Sequence, residues 1–391
     1  MDAKKIIAVY RKQGARIGTE AHVKLKAKKD FSLWYTPGVG AAASHLAKHP
    51  KDARLMSIKK NSIAIVSDGS AVLGLGNLGP YGALPVMEGK ALIFKEKAGI
   101  DAWPIILDTP ASVKTTAGTA RSTQAEVDFI VETVKAIAPA FGGINLEDIA
   151  APKCFEIEQR LVQALDIPVM HDDQHGTAIV VLAGLLNATK VVKKNFKKLR
   201  VVISGAGAAG TAIAKLLRAA GIRDIILLDR AGAICGERTD LRAHKRELMA
   251  LMNPRGICGD LARVLRGADA FIGVSGKGLL KAKHVAEMAP RAIVFALANP
   301  DPEIAPEEAL RAGAAVVATG RSDYPNQINN ALVFPGIFRG ALDKGVKKIT
   351  EETKLRAARG LAALIPHPTA AKIIPDLLDP RVVKAVAKSV R

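Results

Sequence analysis

The 391-residue chain carries 57 Lys and Arg against 37 Asp and Glu, a formal charge of +20, and 49% of its residues are hydrophobic. Such a length and apolar content allow a large core and predict two globular units rather than one, with a surface that draws anions. Aromatic residues make up only 4%, and basic runs such as KKNFKK (193–198) lack the interleaved aromatics of a stacking platform, which argues for small anionic substrates and against nucleic acid.

The opening MDAKKIIAVYRKQG alternates charged and apolar residues at helical spacing, without the apolar core of a signal peptide. Charges interrupt every later apolar run before it reaches the roughly 20 residues a membrane span needs. Cys154, Cys235 and Cys258 form no CxxC pair and are too scattered to staple the chain, which points to a reducing compartment. The expectation is a soluble cytoplasmic protein with no membrane partner.

Taken in chain order, SIAIVSDG (62–69) and WPIILDT (103–109) read as strands, and 84–98, 123–138 and 154–165 as helices. From about residue 199, LRVVISG, TAIAKLLRAAG, DIILLD, ADAFIGVSG, AIVFALANP and AAVVATG alternate strand and helix patterns, the rhythm of βαβ units on a parallel sheet. Past Asn329 the chain is Ala/Lys-rich and helical, apart from prolines at 366, 368, 375 and 380. The fold class is α/β, with a Rossmann-type doubly wound parallel sheet in one unit and a second α/β unit before it.

GxGxxG occurs twice, as GLGNLG (74–79) and GAGAAG (205–210). A dinucleotide loop needs a strand leading in, a helix leading out whose N-terminus faces the pyrophosphate, and an acid about 20 residues on for the ribose hydroxyls. The second match has VVIS before it, TAIAKLLRAA after it, and Asp229 closing DIILLD. Gly205, Ala206, Gly207, Ala208, Ala209 and Gly210 are therefore the cofactor loop. Asp229 favours NAD by repelling a 2′-phosphate, an inference that the neighbouring Arg230 weakens; the other reading of Asp229 is a plain strand-end turn residue. In GLGNLG, Pro80, Gly82 and Pro85 would spoil a following helix, so it reads as a tight turn near the cleft.

HDDQHGTA (171–178) sets two carboxylates between two histidines ahead of an apolar helix. Asp172 or Asp173 could cap that helix; His171 and His175 could clasp zinc, but no third ligand accompanies them. Glu147 and Asp148, in GGINLEDIA, could likewise be first-turn acids behind an Asn145 cap. Alternatively, three or four of these carboxylates converge as an oxygen site for Mg²⁺ or Mn²⁺.

Lys90 shares helical spacing with Val86, Met87, Ile93 and Phe94, so its side chain lies along an apolar stripe. Its stem could snorkel, or burial and a nearby cation could lower its pKa to around 7–8 and make it a general base. Tyr35, before a Thr-Pro-Gly turn, could donate a proton or simply pack on Trp34.

Together these residues resemble the malic enzymes, in their short bacterial and archaeal form. The match runs through WYTPGVG, SDGSAVLGLGNLGP, PVMEGKALIFKEKAGID, FGGINLEDI, HDDQHGTA, GAGAAG, ANPDPEI and INNALVFPGIF, in that order. The resemblance implies oxidative decarboxylation of (S)-malate to pyruvate and CO₂ with NAD or NADP and Mg²⁺ or Mn²⁺, in a homodimer with chain-swapped contributions to the site as an open possibility. It also implies a malate-binding catalytic unit at 1–170, a nucleotide-binding unit at 171–328 and a helical return at 329–391. Tyr35 matches the proton donor, Lys90 the base that also contacts substrate, and Glu147, Asp148 and Asp173 the metal ligands, with Asp172 beside them. Asn299, Asn329 and Asn330 match malate-binding positions. Two positions depart: Ala71 stands in the region where longer members carry an arginine that grips a malate carboxylate, and Asn77 stands where GLGDLG is frequent. Rival readings are a different two-domain dehydrogenase with a catalytic lysine, of the amino-acid or methylenetetrahydrofolate type, and an NAD-sensing nucleic-acid-binding regulator.

Overall fold

The computed structural model describes residues 3–109 and 124–391. Two sheets, parallel but for one short edge pair, carry the chain. The first consists of β1 (Ser62–Ser67), β2 (Asp101–Ile106), β3 (Gly143–Leu146) and β4 (Val169–His171), in the order β2-β1-β3-β4. Strand β1 is buried along its whole length, as a run apolar on both sides demands when helices cover both faces. Ile63 and Ile65 face a core shared with Met87 and Phe94, while Ala64 and Val66 face Val127 and Ile130 on the opposite side.

The second sheet holds β5 (Arg200–Ser204), β6 (Asp224–Asp229), β7 (Gly232–Ala233), β8 (Ala270–Gly273), β9 (Ala292–Ala296) and β10 (Ala314–Thr319), in the order β10-β9-β8-β5-β6-β7. All pairings are parallel except β6 with β7. The chain leaves β5 toward β6 on one side and returns to β8 on the other, so a crevice opens at the carboxyl ends where the winding reverses.

Helix Asp172–Val191 joins the sheets. Its residues from Ala178 to Leu185 are all buried, which fits a helix apolar on every side, and it packs along helix Ala208–Ala219. The C-terminal helices return to the first sheet, where Phe334 and Phe338 of helix Phe334–Lys344 meet Phe94 at ring-centroid distances of 4.7 and 5.6 Å. Among the described residues no helix is long and apolar enough to cross a membrane.

Two expectations fail here. A helix, Gly79–Ala98, does follow GLGNLG: Pro80 falls in its first turn, where no N–H partner is needed, and the helix tolerates Pro85 inside. Cys235 and Cys258 form a disulfide, with Cα atoms 5.6 Å apart. Sequence spacing hides this pair because the β7 loop folds back, with Ala233 N–H donating to Gly259 O at 2.9 Å.

Candidate active site and metal centre

A cleft of about 1000 Å³ lies between the carboxyl ends of the two sheets. Its walls include Leu73, Lys90, Glu147, Asp148 and Asp173 from the first half, and Ala209, Ser275, Asn299, Asn329 and Asn330 from the second. Glu147 and Asp148 directly follow β3, and Asp172 and Asp173 directly follow β4. Adjacent parallel strands thus deliver both acidic pairs to one point, which spacing alone could not establish.

The capping readings are set aside. Helix Asp172–Val191 begins at Asp172, with His171 as an N-cap whose side chain makes no capping bond. Asn145 lies within β3, where its Nδ2 donates to Glu147 Oε2 at 3.0 Å. Zinc held by the histidines fails too, because His171 Nδ1 faces Gln174 and His175 bonds Glu158 and Lys354.

One oxygen from each of Glu147, Asp148 and Asp173 lies within 4.8 Å of the others. Asp173 Oδ2 accepts from Asp148 N–H at 2.7 Å, and Asp148 itself adopts a left-handed backbone, φ 53°, a conformation more tolerable for Asp than for most residues. Asp148 Oδ2 is buried without a hydrogen-bond partner. Gly176 is required beside the cluster, since a Cβ there would sit 1.8 Å from Asp172 Oδ1.

Lys90 is 7% exposed. Its Nζ donates to Asp172 Oδ2 at 2.6 Å, pairs with Glu147 and lies 4.4 Å from the centre of the Phe334 ring. Burial pushes the amine's pKa down, but the charges of Asp172, Glu147 and Asp173 outweigh it and hold the amine above its ordinary value. The lowered pKa expected from burial is therefore reversed where those carboxylates have only the amine to face. Burial also lifts Glu147 and Asp172 above the usual carboxylate range, and burial with the Asp173 charge takes Asp148 to about 7. Four carboxylates facing one amine are short of positive charge. A divalent cation on Glu147, Asp148 and Asp173 would supply what is missing, and an all-oxygen set suits Mg²⁺ or Mn²⁺.

Across the cleft, Gly205 to Gly210 connect β5 to helix Ala208–Ala219. A Cβ on Gly210 would lie 1.8 Å from Gly205 O, so the helix can close on the strand only with glycine there. A Cβ on Gly207 would meet nothing within 4 Å, and this N-cap residue makes no side-chain cap bond. The open space beside Gly207 leaves room for a pyrophosphate at the helix N-terminus. Asp229 ends β6, where Arg238 Nη1 donates to its Oδ1 at 2.6 Å and Lys245 Nζ to its Oδ2 at 2.5 Å. Although partial burial opposes it, hydrogen bonds from both cations push its pKa down to about 2. Arg230 beside it is exposed.

Of the remaining expected residues, Asn329 Oδ1 accepts from Ala331 N–H at 2.9 Å and orders the turn that presents Asn330. Tyr35 stands apart: it is 67% exposed, just past helix Lys28–Trp34, and does not line the cleft of its own chain. Arg238, Lys245, Glu158 and Gln174 were missed by sequence reasoning; only Gln174, inside the HDDQHGTA octet, carried a local signal.

A carboxylate-lined centre opposite a glycine-rich dinucleotide loop defines a nicotinamide-dependent dehydrogenase with a divalent-metal site. The family models for the malic enzyme N-terminal domain and the malic enzyme NAD-binding domain match residues 15–162 and 174–390. The chain belongs to the malic enzyme family. It is 52% identical to the NAD-dependent malic enzyme of Geobacillus stearothermophilus over 379 residues, covering 96% of this chain and 76% of that protein. The bifunctional malic/malolactic enzyme of Bacillus subtilis is 49% identical over 96% of this chain and 88% of its own length. The crystal structure of the NAD-dependent malic enzyme from Thermotoga maritima superposes with a TM-score of 0.92 at 45% identity, covering 100% of this chain and 99% of that one.

Proposed function

We propose that this chain oxidises (S)-malate to pyruvate and CO₂, favouring NAD⁺ over NADP⁺, with Mg²⁺ or Mn²⁺ held by Glu147, Asp148 and Asp173. The observation that carries the reading is the meeting of these three carboxylates and the Lys90 amine in one cleft, opposite the glycine loop. When bound, the cation supplies Lewis-acid stabilisation of the oxyanion character that grows during oxidation and decarboxylation. A nicotinamide cofactor held at the Gly205–Gly210 loop would supply the acceptor for the hydride of C2.

The chain's own residues handle the protons. Lys90, deep in the cleft, takes the C2 hydroxyl proton, with Asp172 aiming the amine. Asn299, Asn329 and Asn330 line the malate side of the cleft, and Tyr35 returns a proton to C3 after CO₂ leaves. An ionised Asp229 accepts a ribose hydroxyl and repels a 2′-phosphate; Arg238 and Lys245 offset part of that repulsion, so NADP⁺ is used at a higher KM. The division at residues 170/171 and 328/329 belongs to this reading.

Tyr35 reaches a reaction only if a second copy is present. Helices Lys28–Trp34 and Gly38–Lys48 bury no residue in the single chain, and Phe31, Leu33, Trp34 and Val39 are all exposed around Tyr35. Contiguous apolar surface of this kind is typical of an interface. The reading is a homodimer in which the partner subunit's Tyr35 completes each cleft. Cytoplasm is its assigned compartment, against which stands only the Cys235–Cys258 bond.

Malate, Mn²⁺ and each nicotinamide cofactor, followed at the reduced-nicotinamide absorbance with pyruvate measured at the end, test the reaction. Turnover abolished by EDTA and restored by Mn²⁺ is expected; turnover indifferent to EDTA refutes the metal role. For the dimer, mixing inactive Tyr35→Phe with inactive Lys90→Ala is expected to regain activity in mixed pairs, because one of the two clefts then holds both native residues. No regain in demonstrated mixed pairs refutes the shared site.

A further inference from the structure

We propose that Gln174, oriented by Glu158, positions the metal ligand Asp173 through the His171 ring. The inference rests on the metal reading above and assigns work to residues behind the ligands.

Hydrogen-bond polarity carries it. Gln174 Nε2 lies 3.3 Å from Glu158 Oε2 and 2.9 Å from His171 Nδ1. A carboxylate only accepts, so the nitrogen end of the amide must face Glu158; the flipped amide would set oxygen against oxygen. The second hydrogen of that nitrogen then points at His171 Nδ1. Nδ1 is therefore a bare acceptor, and the ring carries its hydrogen on Nε2, which lies 3.2 Å from Asp173 Oδ2. Asp173 Oδ2 thus accepts from Asp148 N–H and has the His171 ring against the same oxygen, in close contact rather than as an aligned hydrogen bond, so both neighbours restrict rotation of the carboxylate about its Cβ–Cγ bond.

Glu158 is itself over-determined. Its Oε1 accepts from His171 N–H at 2.7 Å, and its Oε2 accepts from His175 Nε2 at 2.9 Å. His175 Nδ1 in turn takes a hydrogen from Lys354 Nζ at 3.0 Å, across from helix Glu351–Ala363. Donation runs from Lys354 through His175 into Glu158, and from Gln174 both into Glu158 and into the His171 ring. His171 and Gln174 are buried, so water cannot readily replace the partner of His171 Nδ1, whereas Glu158 borders an open pocket together with His175 and Lys354. Outer groups that fix a ligand in this way govern metal affinity by about 10–100-fold.

The test is Mn²⁺ affinity, read from the electron paramagnetic resonance signal of free Mn²⁺ without substrate or turnover. Gln174→Met is expected to weaken Mn²⁺ by about 10-fold or more while leaving NAD⁺ affinity unchanged. His171→Gln keeps a donor near the place of Nε2 and is expected to bind Mn²⁺ close to the parent value, whereas His171→Leu does not. In the His171→Gln background, Gln174→Met should cost nothing further. Parent-like affinity in Gln174→Met, equal affinities of His171→Gln and His171→Leu, or an undiminished Gln174→Met loss in the double variant would each overturn the proposal. The two His171 variants keep it testable should Gln174→Met not fold. A parent protein that binds no Mn²⁺ would instead sink the metal reading beneath it.

Discussion

The two sides of the cleft are built by different physics. On the dinucleotide side, binding groups are backbone N–H groups at one helix N-terminus, and one six-residue loop, Gly205 to Gly210, supplies them. On the candidate metal side, the converging groups are side chains from three separate segments, carrying Lys90, the Glu147–Asp148 pair and Asp173, which meet only because β1, β3 and β4 lie side by side. A backbone site tolerates change wherever helix and strand still close; a side-chain site fails with any one member.

The contrast is sharpest at Lys90. Lys90→Ala should lower malate turnover by about 10²–10⁴-fold, the usual contribution of a positioned general base, while equilibrium NAD⁺ binding stays at the parent level. Stopped-flow turnover and fluorescence titration check the two halves, and near-normal turnover would remove Lys90 from the chemistry. The complementary change is Gly207→Val, which fills the open space before helix Ala208–Ala219. It should raise KM for NAD⁺ by about 10-fold or more, since a few lost contacts at about 1.4 kcal/mol suffice, and leave Mn²⁺ binding intact. Lost Mn²⁺ binding in that variant would mean that the two sides are not independent.

A smaller effect is expected behind the metal side. Glu158 has its pKa pushed down to about 2, against the effect of burial, by the hydrogen bond from His175 and the charge of Lys354. A depressed carboxylate adds stability that is fully present above its unfolded pKa of about 4.5 and is lost as pH falls toward 2. Glu158→Gln should therefore cost about 2 kcal/mol near neutral pH, and the gap to the parent should close in acid. Urea unfolding at a series of pH values measures it; a pH-independent gap would assign the loss to packing.

How much could be read from the chain follows the same division. GAGAAG, the strand rhythm after residue 199 and the buried stripe around Lys90 are local patterns, and local patterns survive into the fold. Asp172, Asp173, Glu147 and Asp148 were ambiguous because an acid beside a helix start looks the same whether it caps, decorates the first turn or binds an ion. Their resemblance to a known family singled them out; strand adjacency is the physical reason that they meet. Pro80 and Pro85 misled because a proline's cost depends on which N–H is needed, and the Cys235–Cys258 bond was invisible because a loop fold-back, 23 residues apart in sequence, creates it. For Lys90, burial was one of two open readings beside a snorkelling stem, whereas the raised pKa required knowing how many carboxylates surround it.

Anomalous diffraction from crystals soaked in Mn²⁺ tests the convergence most directly. A single strong peak within about 2.2 Å of oxygens from Glu147, Asp148 and Asp173 is expected, as for a hard cation on carboxylates. A peak placed elsewhere, or none at saturating Mn²⁺, would contradict the assignment of these three residues and, with it, the chemistry built around Lys90.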